Sequence, residues 1–305
     1  MWNGYFIGVL LVFIYVFIAS TQSVVLNIWL INTNVFVMVA LSFTVATLVF
    51  SLITLSKQPK SYRNLMVEWR MVLAFNVVTV CNWLFYFLSV KYLEPSVAVT
   101  ITQGLGPVIM TSWLLVRRQN VSKFTQICHL VILVSILVLC IYVFTTRSAL
   151  SVYSQSQVLL GFMLALLCCV SITATVLISK KFAINHVPAS TMLSIRFPLL
   201  ILVSASFIPF QADASIDLND VYTILIVSLL GVCTSIYVLQ KGIEMASPLA
   251  VSTSLAVSPL VVLGIQSFLT DYPTSIFLLS LITLIVLTSL ASILYEGKLL
   301  KVVEQ

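Results

Sequence analysis

Charge is what this sequence lacks. Asp, Glu, Lys and Arg make up 8% of its 305 residues, where a soluble domain carries roughly 25%. So few charges cannot cover a water-facing surface, which excludes an ordinary soluble fold. Catalytic signatures are missing as well: there is no H-E-x-x-H, no G-x-S-x-G and no phosphate-binding glycine loop. His129 and His186 are the only histidines and lie far apart near expected helix ends, so neither a Cys-His pair nor a His-metal site is available. The six cysteines (Cys81, Cys128, Cys140, Cys168, Cys169 and Cys233) fall in apolar runs and form no C-x-x-C. They read as small apolar packing residues. The expectation is a chain that is not an enzyme and holds no cofactor and no metal.

What is present is apolar. Hydrophobic residues reach 61% and the mean hydropathy is +1.15. A membrane span needs about 20 mostly apolar residues. The pattern predicts ten such helices, near 4–26, 34–55, 69–90, 95–116, 124–145, 157–179, 188–209, 220–240, 247–269 and 274–295. The fold class is therefore an all-α integral membrane protein whose surface meets the lipid bilayer. Short connections leave no room for an inserted soluble domain. The N-terminal Met1-Trp2-Asn3-Gly4-Tyr5 has no basic region, and the apolar run after it exceeds the length of a signal peptide's core. It reads as a first span retained in the mature chain.

The net charge of +6 reads as topology rather than nucleic-acid binding, because Lys and Arg gather in cytoplasmic loops. With the N-terminus inside, the inner loops and helix ends hold Lys57, Lys60, Arg63, Arg70, Arg117, Arg118, Lys123, Lys180, Lys181, Lys241, Lys298 and Lys301. The outer side holds only Lys91 and Arg147, together with Asp213, Asp217, Asp220 and Asp271. Both termini are accordingly expected in the cytoplasm, with a bacterial inner membrane as the default location.

An internal repeat emerges at an offset of 152 positions. Ala98-Val99-Thr100 with Pro107 falls on Ala250-Val251-Ser252 with Pro259, Ser42-Phe43-Thr44 falls on Ser194-Ile195-Arg196, and Glu68 falls on Asp220. Lys91-x-x-Glu94 and Lys241-x-x-Glu244 end the third and eighth helices at nearly the same offset. These matches suggest duplication, with one repeat over 1–150 and the other over 151–305. Five helices is an odd number, so the second repeat enters from the opposite side. That inverted arrangement places solute near the midplane between the halves in many secondary transporters.

Tyr92-Leu93-Glu94-Pro95-Ser96-Val97-Ala98 leading to Gly106-Pro107, its partner Ala246-Ser247-Pro248-Leu249-Ala250-Val251-Ser252 leading to Ser258-Pro259, and Leu193 to Phe197 resemble the EamA-like branch of the drug/metabolite transporter superfamily. The resemblance spans the chain in helix count and repeat. It implies ten helices, a central cavity, alternating access and a small-molecule solute. The family includes amino-acid and metabolite exporters and sugar-conjugate carriers, so the solute itself is left open. Thr44 stands where the family commonly has an arginine.

Polar residues inside spans must find partners or line a wet cavity. On the third helix Asn76, Thr79, Trp83 and Tyr86 recur at helical spacing with Asn82 beside them. They read either as a cavity wall or as interhelical hydrogen bonding. The fourth offers Thr100 and Gln103 near Gly104, Gly106 and Pro107, and the ninth offers Ser252, Ser254 and Ser258 with Pro259. Gly and Pro open backbone there or allow close packing. Tyr15, with Ser20, Thr21 and Gln22, lies on the first helix, and Ser171, Thr173 and Thr175 on the sixth. Tyr237 and Gln240 lie on the eighth. The candidate solute-binding set is Tyr15, Asn76, Thr79, Asn82, Trp83, Tyr86, Thr100, Gln103, Arg196, Tyr237 and Ser252.

Arg196 is the one basic residue well inside a span, eight residues past Pro188 and so at roughly 12 Å depth. Two readings stand open: it faces the cavity and attracts a carboxylate or phosphate, or it snorkels and ties helices together. No Asp or Glu falls in the middle of a span, which argues against simple proton-for-cation exchange. The expectation is a monomeric or homodimeric carrier of a small polar or zwitterionic metabolite, amino-acid-like, with export the favoured direction. A nucleotide-sugar exchanger, an aromatic cage for a quaternary ammonium and a non-transporting scaffold are the alternatives. The two Lys-x-x-Glu pairs read as gates or as solvated helix ends.

Overall fold

A computed structural model of the protein describes residues 2–30, 34–146, 154–210, 222, 224–225, 228–270 and 275–303. Among the described residues the chain is helical and has no strand. Nine helices or broken helices among the described residues are long and apolar enough to cross a membrane. The first is α1 (Trp2–Leu30), followed by α2 (Val35–Lys57), a short α3 (Ser61–Val67) and α4 (Trp69–Tyr92). The fourth span is divided into α5 (Pro95–Thr102) and α6 (Gly106–Val116); α7 (Lys123–Thr146) and α8 (Gln155–Ile184) are continuous. The seventh span is divided into α9 (Ala189–Arg196) and α10 (Pro198–Phe207).

The span expected near 220–240 lies partly outside the described residues. Its described part is a π-helical turn, Ser228–Cys233, running into α11 (Thr234–Met245). The ninth expected span is divided into α12 (Pro248–Leu255) and α13 (Ser258–Leu269), and α14 (Ile276–Val303) follows. Arg147 and the loop acids Asp213, Asp217, Asp220 and Asp271 fall outside the described residues.

Proline explains the three divided spans. It lacks an N–H and its ring crowds the preceding turn, so a helix stops before it and restarts at it. Pro107, Pro198 and Pro259 each stand at the first or second position of a restarted helix. At the first break Gly106 N bonds Gln103 O at 3.2 Å, and at the third Val257 N bonds Ser254 O at 3.2 Å. Tighter turns thus recover part of the lost ladder. Polar N-caps fix other starts: Asn34 Oδ1 accepts from Phe36 N at 2.9 Å, and Ser247 Oγ accepts from Ala250 N at 3.1 Å.

The outside of the bundle is apolar. Phe17, Leu52, Val116, Ile141, Leu202 and Phe268 are all more than half exposed. In water this would be a severe liability; in a bilayer it is the surface lipid requires. The interior holds aromatic rings such as Phe43, Phe75, Phe87, Phe182 and Phe197, all buried.

Packing follows a regular plan. α4 packs on α8 and α1 on α11; α2 lies against α9 and α10, α5 against α13, α6 against α12, and α7 against α14. The approach of α1 to α11 depends on glycine. A Cβ on Gly242 would stand 2.7 Å from Val12 Cγ2 and 3.0 Å from Gly8 O, too close for any side chain. Two helix ends are closed by side chains from a neighbour. Asn27 Nδ2 of α1 donates to Val90 O of α4 at 2.9 Å. Lys180 Nζ of α8 donates to Ile243 O, Glu244 O and Ala246 O at 3.1, 2.9 and 2.7 Å.

Candidate functional site

The helices enclose a narrow cavity bounded by α1, α4, α8, α9, α11, the end of α12 and the break after α5. About 50 Å³ is open to water centres, room for a few waters at roughly 10–15 Å³ each. Six of the eleven predicted residues line it: Tyr15, Asn82, Trp83, Tyr86, Gln103 and Arg196. Gln22 and Thr175 join them, with Ser235 on α11. The rest of the wall is aliphatic, including Leu26, Ile172, Val176, Ile236, Leu239, Ile243 and Leu255.

Arg196 is 3% exposed and turns inward; it does not snorkel. It ends α9, where unpaired helix carbonyls favour a cation. Its Nε donates to Thr79 Oγ1 at 3.1 Å. Its guanidinium carbon lies 5.1 Å from the Phe75 ring centre and 5.4 Å from that of Phe197, within reach of cation–π attraction. Among the described residues no Asp or Glu lines the cavity.

Polar atoms in the wall are left in excess of their partners. Gln22 Nε2, Trp83 Nε1 and Thr175 Oγ1 are buried and have no hydrogen-bond partner among the described residues. Such atoms cost free energy unless a solute or water serves them. Gln103 is partly served, since Ser258 Oγ donates to its Oε1 at 2.5 Å. Trp83 and Tyr86 stand edge to face with ring centres 6.2 Å apart. Cys168 Sγ donates to Asn82 O at 3.2 Å, fixing α8 against the polar stretch of α4.

The other five predicted residues do not line the cavity. Asn76 bridges the break in the seventh span: Nδ2 donates to Ile195 O at 2.7 Å and Oδ1 accepts from Leu199 N at 3.3 Å. Thr79 reaches the cavity only through Arg196. Thr100 Oγ1 donates to Ser96 O at 2.6 Å and Ser252 Oγ to Leu249 O at 2.9 Å, so both hydroxyls serve their own helices. Tyr237 is 40% exposed and stacks on Phe50 with ring centres 6.2 Å apart.

The two Lys-x-x-Glu motifs differ. Lys241 Nζ meets Glu244 Oε2 at 2.7 Å. Glu94 instead accepts from Gln266 Nε2 at 3.5 Å, while Gln266 Oε1 accepts from Ser96 N at 3.0 Å.

No curated protein matches the sequence. A solved structure described only as "Crystal structure of protein" is 17% identical and superposes with a TM-score of 0.69, covering 94% of this chain and 96% of that one; the likeness is one of fold. Residues 6–141 match the EamA-like transporter family, which belongs to the drug/metabolite transporter superfamily; over that stretch the chain is similar to its members.

Proposed function

We propose that the protein is a secondary carrier that moves a small polar or zwitterionic, amino-acid-like metabolite by alternating access through the central cavity, in the direction of export. The observation that carries this reading is the cavity itself. Helices from both halves of the chain contribute to it, and it joins unpaired polar atoms and aromatic faces to an aliphatic wall.

Three pairs of features support two inverted repeats, 1–150 and 151–305; the excess of Lys and Arg in alternate loops supports placing both termini in the cytoplasm, with a bacterial inner membrane as the proposed location. The helix-end bonds made by Asn27 and Lys180 are 153 positions apart, as are their acceptors Val90 and Ile243. The breaks at Gln103 and Ala256 are also 153 apart. The packing of α1 on α11 and of α4 on α8 is what a twofold exchange of the first and third helices of each repeat would produce.

A nucleotide-sugar exchanger is less well supported, because one arginine faces two phosphates. A quaternary-ammonium cage would have to overcome the charge of Arg196. The test is counterflow in proteoliposomes loaded in turn with amino acids, simple amines and nucleotide sugars. Amino acids are expected to drive uptake, and Gln103→Leu and Trp83→Ala to reduce it at least several-fold. Uptake driven only by nucleotide sugars would refute the amino-acid reading. No uptake with any of the three classes would favour a non-transporting scaffold.

A further inference from the structure

Among the described residues Arg196 makes one hydrogen bond, from Nε to Thr79 Oγ1. Its two Nη groups have no acceptor among the described residues. The Phe75 and Phe197 rings lie close to the guanidinium, and Arg196 lines the cavity, so its Nη edge is free for a solute there. This edge is the part of a guanidinium that takes a carboxylate through two parallel hydrogen bonds. The unpaired wall atoms point the same way. Gln22 Nε2 and Trp83 Nε1 are donors, and donors call for an acceptor-rich group.

The opposite charge is absent. With no carboxylate among the described lining residues, an ammonium on the solute meets aromatic faces, amide oxygens and hydroxyls, none of them charged. A phosphate monoester would bring about −1.5 to −2 charges to a single cation. Ile172, Val176, Leu239 and Ile243 offer an apolar bed for the remainder.

Resting on the carrier reading, we propose that the solute class is an amphipathic monocarboxylate. Its carboxylate seats on the Nη edge of Arg196 and its apolar body on the aliphatic wall, and an amino group is dispensable. Arg196 is then the residue that sets specificity, and Thr79 positions it.

The test is thermal stabilisation of the purified full-length protein at neutral pH and constant ionic strength. The probes are short and branched monocarboxylates, the matching primary amides and the matching alkyl phosphates, with leucine and leucinamide as the aminated pair. Carboxylates with and without the amine are expected to stabilise, and amides and phosphates to do so at least tenfold more weakly in apparent Kd. Arg196→Gln is expected to weaken carboxylate binding by about 10–100-fold, the usual loss for a hydrogen bond to a charged group, with Arg196→Lys in between. If Arg196→Gln does not fold, the probe series on the unaltered protein decides alone. Leucinamide matching leucine would overturn the carboxylate assignment and leave the carrier reading intact. Stabilisation by alkyl phosphates above carboxylates, or by none of the probes, also overturns it, and counterflow then judges the carrier reading separately.

Discussion

Gln103 and Ser258 stand at the breaks of two different helices and meet there, Ser258 Oγ donating to Gln103 Oε1 at 2.5 Å. Gln103 follows the last residue of α5, and Ser258 is the first residue of α13. One buried bond therefore couples the interrupted spans of both halves at the edge of the cavity.

Ser258→Ala is expected to leave the Gln103 oxygen buried without a donor and to cost about 1–3 kcal/mol. Chemical unfolding in detergent would measure this. The double variant Ser258→Ala with Gln103→Leu should lose less than the sum of the two singles, as neighbours in one bond do. Strict additivity would show that the contact contributes nothing.

Asn76 supplies both groups that the break before Pro198 leaves unserved, a donor for Ile195 O and an acceptor for Leu199 N. Asn76→Leu is expected to cost about 1–3 kcal/mol for each group. It is also expected to weaken solute binding, because Arg196 lies inside the bridged segment. Unchanged stability with unchanged binding would remove Asn76 from this role.

Lys180 closes the end of α11 through three carbonyls, groups a helix end otherwise leaves to solvent. Lys180→Met should speed amide exchange over residues 240–248, while the end of α4 held by Asn27 stays as it was. Hydrogen exchange followed by mass spectrometry reads both ends in one experiment. Equal protection in the variant and the parent would count against the clamp.

Glu94 lies between spans, and burial pushes its carboxyl up from the ordinary 4.5 to about 6, opposed by the hydrogen bond from Gln266. Between those values the folded state holds a proton that the unfolded state has lost. Stability should therefore fall as pH rises from 4.5 through about 6 and then level. Thermal melts across that range should show the fall in the parent protein and a flatter profile in Glu94→Gln. Parallel profiles would assign the pH dependence elsewhere.

Position along the chain was legible in the residues; direction around each helix was not. Apolar runs located the starts of the nine spans found among the described residues to within a few residues, because only a long uncharged run satisfies lipid. α3 escaped, since seven residues between basic loops carry no such signal. Arg196 falls inside the seventh span as expected, at the end of α9, but two opposite orientations fitted the sequence equally well. The stripe on α4 divides between two neighbours: Asn82, Trp83 and Tyr86 reach the cavity, while Asn76 and Thr79 serve the broken seventh span. Thr100, Ser252 and Tyr237 sit among the right helices but face elsewhere. The break before Pro198 was read through as continuous helix. The aliphatic wall was invisible, because Ile, Val and Leu that face a solute look no different from those that face lipid.

The seventh span is jointed at Phe197, and its partner α2, packed along it, is a single rod. A joint beside a strut bends in one place only. The interruption at this wall lies beside Arg196, and α2 carries no matching one. On the alternating-access reading proposed above, opening toward one side of the membrane and opening toward the other would be different mechanical events, with unequal stiffness, even if the two halves descend from one ancestor.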